Sequence, residues 1–316
     1  IGASITRLHL DGTDIVLGYE HPQDMFSTKN PSYLGVVVGR VANRIAKGSF
    51  KLNNETYELA INNDPNHLHG GNEGFSHKVW QASFVENGVL FTYLSPHGDQ
   101  NYPGEVLISA KYTLSPKDAT LRLEMSAELL GDDDLSTPIN LAQHTYWNLA
   151  GHDCPAGILD HRLILPSEEY TPTDATSIPT REFLSLPKDD PSMSFVGEGK
   201  VLGDALVDIG VQKAGLSKEE ATQNVISRRE ANGPTATAGP TSMIAGQPYG
   251  LDHNYVVLKE NRHQESLSCA GILQYENRTM QVWTDAPGVQ IYTANWLNGD
   301  PEASGNKGTY KQWQAL

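Results

Sequence analysis

The chain has 316 residues, 38% of them hydrophobic, and a formal net charge of −15. That length suits one large all-β domain or two ordinary ones, and so acidic a surface repels nucleic-acid phosphates and anionic membranes while leaving neutral ligands open. No apolar run reaches the ~20 residues of a membrane-spanning helix, and two cysteines, Cys154 and Cys269, are too few for a disulfide framework or a cysteine-ligated zinc.

In chain order, period-2 and β-branched patterns dominate. "ASITRLHL", "YLGVVVG", "GSFKLNNETYEL", "KVWQASFVENGVLFTYLS", "EVLISAKYTL", "ATLRLEMSAEL", "HRLILP", "NYVVL", "TMQVWTD" and "VQIYTANWL" all predict short strands between Gly, Pro, Asn and Asp. "LNNE" at 52–55 and "ENG" at 86–88 predict hairpin turns. Many strands at close spacing predict a sandwich or barrel, and there is no internal repeat. One stretch, 197–248, breaks the pattern. Within it "SKEEATQNVISRRE" predicts a short helix, with Ser217 as cap, acidic residues in the first turn and arginines in the last. The following "ANGPTATAGPTSMIAG" predicts a long loop.

Three stretches carry residues suited to chemistry. "NDPNHLHGG" at 63–71 sets His67 and His69 two apart. That spacing fits a metal site if further ligands exist, an acid–base site, or a polar loop whose imidazoles bind backbone and water. "TPINLAQHTYWNLAGH" at 137–152 places His144 among Gln143, Tyr146, Trp147 and Asn148. Aromatic faces stack on sugar C–H groups while amides and imidazoles bind hydroxyls, so this composition suits a sugar pocket; a core histidine bonded to a carbonyl is the alternative. "GLDHNY" at 250–255 sets Asp252 beside His253, where a carboxylate either holds a hydroxyl or starts a turn.

Together with "GRVANRIAKGSF" at 39–50, "NYPGEV" at 101–106, "TPTDATSIPT" at 171–180 and "APGVQIYTANWLNG" at 286–299, these stretches resemble the aldose 1-epimerase (galactose mutarotase) family. They run in that family's order along essentially the whole chain. The resemblance implies a large antiparallel β-sandwich with few short helices, spanning 1–316 as a single domain. It implies interconversion of the α and β anomers of free aldoses such as galactose and glucose, with no metal and no organic cofactor. By the same resemblance His144 is the general acid and His69 lines the ring-oxygen side of the sugar; His67 is then expected to be structural or to support the sugar-contacting residues from behind. Arg44, Asn43, Asp252, Gln290 and Trp147 bind substrate.

These residue types suit the reaction. Opening a hemiacetal needs a base for the O1 proton and an acid for the ring oxygen; rotation about C1–C2 then lets the ring close on the other aldehyde face. An imidazole gives and takes protons near neutral pH. Neither a phosphate nor a hydride moves, so "GEGKVLG" need not be a nucleotide loop.

Two departures from the family pattern stand out. The family's general base is a glutamate expected two or three residues past Leu316, with the final strand, and the N-terminus also looks clipped; Glu302, in "GDPEASGNKG", is a weak substitute. The 197–248 stretch is longer than the usual connection and leads directly to Asp252, as a lid, a partner surface or plain surface elaboration. A hexose-6-phosphate epimerase would want cations around the cleft, for which Arg40, Arg44 and Lys47 are the available residues. A sugar-binding or regulatory protein without turnover is the other alternative. The partner expected is a small aldose, with neither nucleic acid nor membrane, for a monomer or weak homodimer in the cytoplasm, secretion being left open.

Overall fold

The computed structural model describes residues 1–27, 30–131, 136–230, 243–244, 247–258, 267–300 and 310–316. Glu302 lies outside them, as do residues 231–242 and 245–246 of the loop predicted at 231–246; Met243–Ile244, within that loop, instead pairs antiparallel with Gln247–Pro248. The described strands pair antiparallel throughout, and the fold is all-β with few helices. No helix among the described residues is long and apolar enough to cross a membrane. The chain divides into two compact units.

The first unit comprises residues 1–5, 21–145 and 175–178. Its main sheet is an up-and-down meander of Gln81–Val85, Gly88–Ser95, Glu105–Ser115 and Thr120–Leu130. Alternation decides its register: Val106, Ile108, Ala110 and Tyr112 face inward, while Leu107 and the polar residues between them face out. Against that inner face pack Ala3, Val37, Phe75 and Trp80. The Tyr112 hydroxyl donates to the Ala3 carbonyl at 2.9 Å and the Trp80 indole to that of Phe75 at 3.1 Å. The hairpin Ser49–Leu52/Glu55–Glu58 turns on Asn53 and Asn54, both at positive φ (50° and 64°). Asparagine tolerates that region, which explains the "LNNE" turn.

Two very short ladders hold the chemistry-bearing loops of this unit. Arg44–Ile45 pairs with His67–Leu68, and Val37–Val38 pairs with Ala142–Gln143.

The second unit comprises residues 6–20, 146–174 and 179–316. One sheet orders Lys200–Val201, Arg162–Ile164, Ser268–Tyr275 and Arg278–Thr284; the other orders Leu184–Ser185, Glu169–Thr171, Asp252–Val256 and Gly288–Tyr292. The predicted helix is present as Lys218–Glu230, and its start is a capping box. The Glu220 N–H donates to Ser217 Oγ at 3.2 Å, while Ser217 N–H donates back to Glu220 Oε2 at 2.8 Å.

A second helix, Leu202–Ala214, was not predicted. Glycines at 203 and 210 and β-branched residues weaken its intrinsic preference, but Leu202, Ala205, Leu206 and Ile209 form a buried stripe at helical spacing. Its Lys213 pairs with the buried carboxylate of Asp190, which also accepts from the Tyr170 hydroxyl at 2.7 Å and from Ser192 Oγ at 2.8 Å. This part of the 197–248 stretch is therefore core of the second unit.

Candidate active site

The loop "NDPNHLHGG" is polar because asparagine side chains shape it. Asn62 exchanges two hydrogen bonds with the backbone of Leu68, at 2.8 and 3.0 Å. Asn66 accepts from the Lys47 N–H at 3.0 Å and donates to the Thr176 carbonyl at 2.9 Å. Gly70, at φ +85°, must be glycine: a Cβ there would lie 1.8 Å from the Gly39 carbonyl oxygen. The double-glycine turn thus lets "GRV" and "HGG" close on each other.

Within this frame the two histidines of "HLH" do different things. His67 is fully buried; its Nδ1 meets the Ala60 carbonyl and its Nε2 the Tyr102 hydroxyl, each at 2.8 Å. Both ring nitrogens are engaged, so His67 holds structure and does not chelate together with His69. His69 is partly buried at φ +50°. Its Nδ1 accepts from the Asn43 N–H at 3.0 Å, while its own N–H donates to the Asn43 carbonyl at 3.0 Å. An Nδ1 that accepts must be unprotonated, so the neutral ring carries its proton on Nε2.

Desolvation holds the His69 pKa well below the ordinary 6.5, and His144, Arg44 and His67 push the same way. The His144 ring stands 5.2 Å from that of His69, at 89°. Backbone bonds at both ends place it: His144 N–H donates to Val36 at 2.8 Å and its carbonyl accepts from Gly35 at 3.0 Å. The Arg44 guanidinium donates to Asn63 Oδ1 at 2.9 Å and to Asn43 Oδ1 at 3.3 Å. Four predicted residues, His69, His144, Arg44 and Asn43, therefore come together in the first unit.

Arg40 does not join them. It is 2% exposed, and its Nη atoms donate to the Pro103 and Gly104 carbonyls (2.6 and 2.9 Å) and to Ser95 Oγ (2.6 Å). The expectation that Arg40 is available to a phosphate is corrected: its charge is spent on backbone carbonyls.

The other three predicted residues lie in the second unit. Asp252 and Gln290 sit on adjacent antiparallel strands, and Gln290 Nε2 donates to Asp252 Oδ1 at 2.8 Å. Trp147 exchanges backbone hydrogen bonds with Leu316 at 2.8 and 3.0 Å, and the ring of its neighbour Tyr146 stacks edge-on against Tyr292, which is paired with Asp252.

Residues that motif reading passed over secure Asp252. The Leu251 N–H donates to Thr293 Oγ1 at 2.9 Å, and Asn295 Nδ2 donates to the Leu251 carbonyl at 2.9 Å. Gly250 is required because a Cβ would fall 2.0 Å from Asn295 Oδ1. "GLDHNY" and "YTANW" are thus two halves of one fixture. His253, behind Asp252, has a pKa lowered by burial, partly opposed by the Asp252 carboxylate.

Each unit of this antiparallel β protein therefore carries a polar cluster: paired imidazoles with a guanidinium in the first, of the types used in acid–base work, and a carboxylate–carboxamide couple in the second, of the types that hold hydroxyls. The chain belongs to the aldose 1-epimerase family, whose model matches residues 1–316. It is 34% identical over 305 residues to the galactose mutarotase of Bos taurus, covering 94% of this chain and 74% of that protein. It is 32% identical to the aldose 1-epimerase of Haemophilus influenzae, covering 87% of this chain and 67% of that one. The solved structure of galactose 1-epimerase from Lactobacillus acidophilus matches with a TM-score of 0.72 at 26% identity, over 99% of this chain and 78% of that one. A C. elegans homologue shares the fold, with a TM-score of 0.73 at 23% identity over 100% of this chain and 82% of the other.

Proposed function

We propose that this protein interconverts the α and β anomers of free aldohexoses, of the galactose and glucose kind, by acid–base opening and closing of the ring. The observation that carries the reading is the His69–His144 pair, with His69 Nδ1 occupied by the Asn43 N–H. His69 then offers Nε2–H as a donor to the sugar ring oxygen. His144 protonates that oxygen as the C1–O5 bond breaks, while a base removes the O1 proton and C1 becomes an aldehyde carbon. After rotation about C1–C2, O5 attacks the other face, its proton returns to His144 and the base returns one to O1. Arg44, Asn43, Asp252, Gln290 and Trp147 bind the sugar, the last through its ring face.

A sugar-phosphate substrate is disfavoured by the burial of Arg40 and by the engagement of Arg44 with Asn63 and Asn43. We further propose a small aldose as substrate, with neither nucleic acid nor membrane as partner, for a monomer or weak homodimer in the cytoplasm, secretion being left open.

The test is polarimetry on freshly dissolved α-D-galactose and α-D-glucose. The expected result is acceleration over spontaneous mutarotation, lost in His144→Gln. Galactose binding without any acceleration by the protein would overturn the enzymatic reading in favour of a binding protein.

A further inference from the structure

A single phenol touches three imidazoles in the first unit. The Tyr33 ring lies 4.7 Å from His69 at 66°, 5.9 Å from His144 at 36° and 6.2 Å from His77 at 79°. Its backbone sits at φ +56°, where a bulky side chain is an outlier. Strain of this kind persists only when the surroundings over-determine it, and it clusters at functional sites.

The surroundings here do so. Asn30 is buried and brackets the loop: its Oδ1 accepts from the Leu34 N–H at 2.9 Å and its Nδ2 donates to the Leu34 carbonyl at 3.1 Å. Its carbonyl accepts from the Tyr33 N–H at 2.9 Å. Two residues on, Gly35 donates to the His144 carbonyl, and Val36 accepts from the His144 N–H. Gln143 Nε2 donates to the Gly35 carbonyl at 2.7 Å. One short segment therefore holds the backbone of His144 and sends its own ring against His69.

We propose that Tyr33 is a positioning residue: its ring wedges against both His69 and His144, fixes their mutual angle and keeps water from His69. The inference rests on reading this pair as the acid–base site. The groups facing His69 are Tyr33, His144, Arg44 and His67. Protonating His69 on Nδ1 breaks the Asn43 N–H bond, and a second proton on the ring meets Arg44 and a neighbouring imidazole. A dry wall at Tyr33 adds to that penalty, so His69 stays neutral with Nε2–H as its donor. Without the ring, water enters, His69 protonates more readily, and its orientation loosens.

The test compares Tyr33→Leu, Tyr33→Asn and Tyr33→Phe by anomer interconversion across pH, with His69 titrated by NMR. Asparagine accepts positive φ and keeps the loop if leucine does not. Loss of the ring is expected to lower kcat by roughly 10- to 100-fold with a much smaller change in KM, as small misplacements do. It also moves the acid limb of the kcat profile, and the His69 titration, upward by about one pH unit. Tyr33→Phe restores most of kcat and the original limb. A merely structural residue would lower the melting temperature and leave the limb in place, which overturns the proposal. So does a phenylalanine variant as impaired as leucine, since the hydroxyl would then be the acting group. The NMR titration reads Tyr33 without turnover: a wild type that epimerises no aldose overturns the acid–base reading, while an unmoved His69 titration overturns the Tyr33 wedge.

Discussion

The histidine cluster of the first unit and the Asp252–Gln290 couple of the second are built by opposite means. Asp252 and Gln290 ride on a regular antiparallel pair, where register brings two side chains to one place. His69 and His144 hang on two-residue ladders, and their setting depends on positive-φ residues (Tyr33, Asn43, His69) and on side chains bonding backbone. Gripping a hydroxyl needs one donor or acceptor on a firm surface. Acid–base work needs a chosen tautomer and a fixed angle between rings, and a flat ladder supplies neither.

The contrast is testable, and the largest effect is expected at His144, the proposed acid. His144→Gln lowers kcat by about 10²–10⁴-fold with KM little changed, measured by polarimetry; a loss appearing in KM alone would place His144 with the gripping residues. Next is the fold of the cluster. Gly70→Ala puts a Cβ 1.8 Å from a carbonyl oxygen at φ +85°, and is expected to cost about 3 kcal/mol or more in urea unfolding. Wild-type stability there would mean the "HGG" turn can move.

Smaller is the pH response. Burial pushes His161, fully buried and accepting from the Leu149 N–H, down to about 4, and it lowers His67, His69 and His253 too. The folded state then binds fewer protons than the unfolded chain between about pH 4 and 6.5. This stability is complete above the ordinary imidazole value and is lost as pH falls toward the folded one. His161 alone contributes a loss of roughly 2 kcal/mol from pH 7 to 5, at about 1.4 kcal/mol per pH unit. His161→Gln should flatten the urea midpoint over that range by this amount; an unchanged slope would assign the pH response to the other histidines.

Asp252→Asn keeps the shape of the couple and removes its charge. It should raise KM by about tenfold, as loss of a charge-assisted hydrogen bond does, with kcat falling less. A larger fall in kcat than in KM would show that the two regions do not divide the work as described. Smallest is Asn63→Ala, which frees one bond to Arg44 and should raise KM only a few-fold, consistent with about 1 kcal/mol.

Much of the candidate site was legible because the motifs are local. "HLHGG" and "ANRI" contribute adjacent strands of one tiny ladder, so residues that the family resemblance names in each are neighbours in the fold. "GLDHNY" and "PGVQ" likewise pair directly. Tyr33 was not legible: "PSYLG" has strand-like composition, and nothing local says that its ring meets histidines 36 and 111 residues away. Thr293 and Asn295 looked like ordinary strand residues, because their task is to bond the backbone of Leu251. The helix Leu202–Ala214 was hidden by its glycines, and the Ser217 helix was visible because its cap is written in consecutive residues.

By itself, the sequence determined the all-β class, the hairpin turns and the family, since alternation, Asn-rich turns and short motifs act over a few residues. Only the tertiary structure decided which nitrogen of His69 is occupied, that Arg40 is buried scaffold and His67 is sealed on both nitrogens, and that Tyr33 is strained against the pair. Those properties depend on desolvation and on hydrogen bonds between segments far apart in the chain, and no local pattern encodes them.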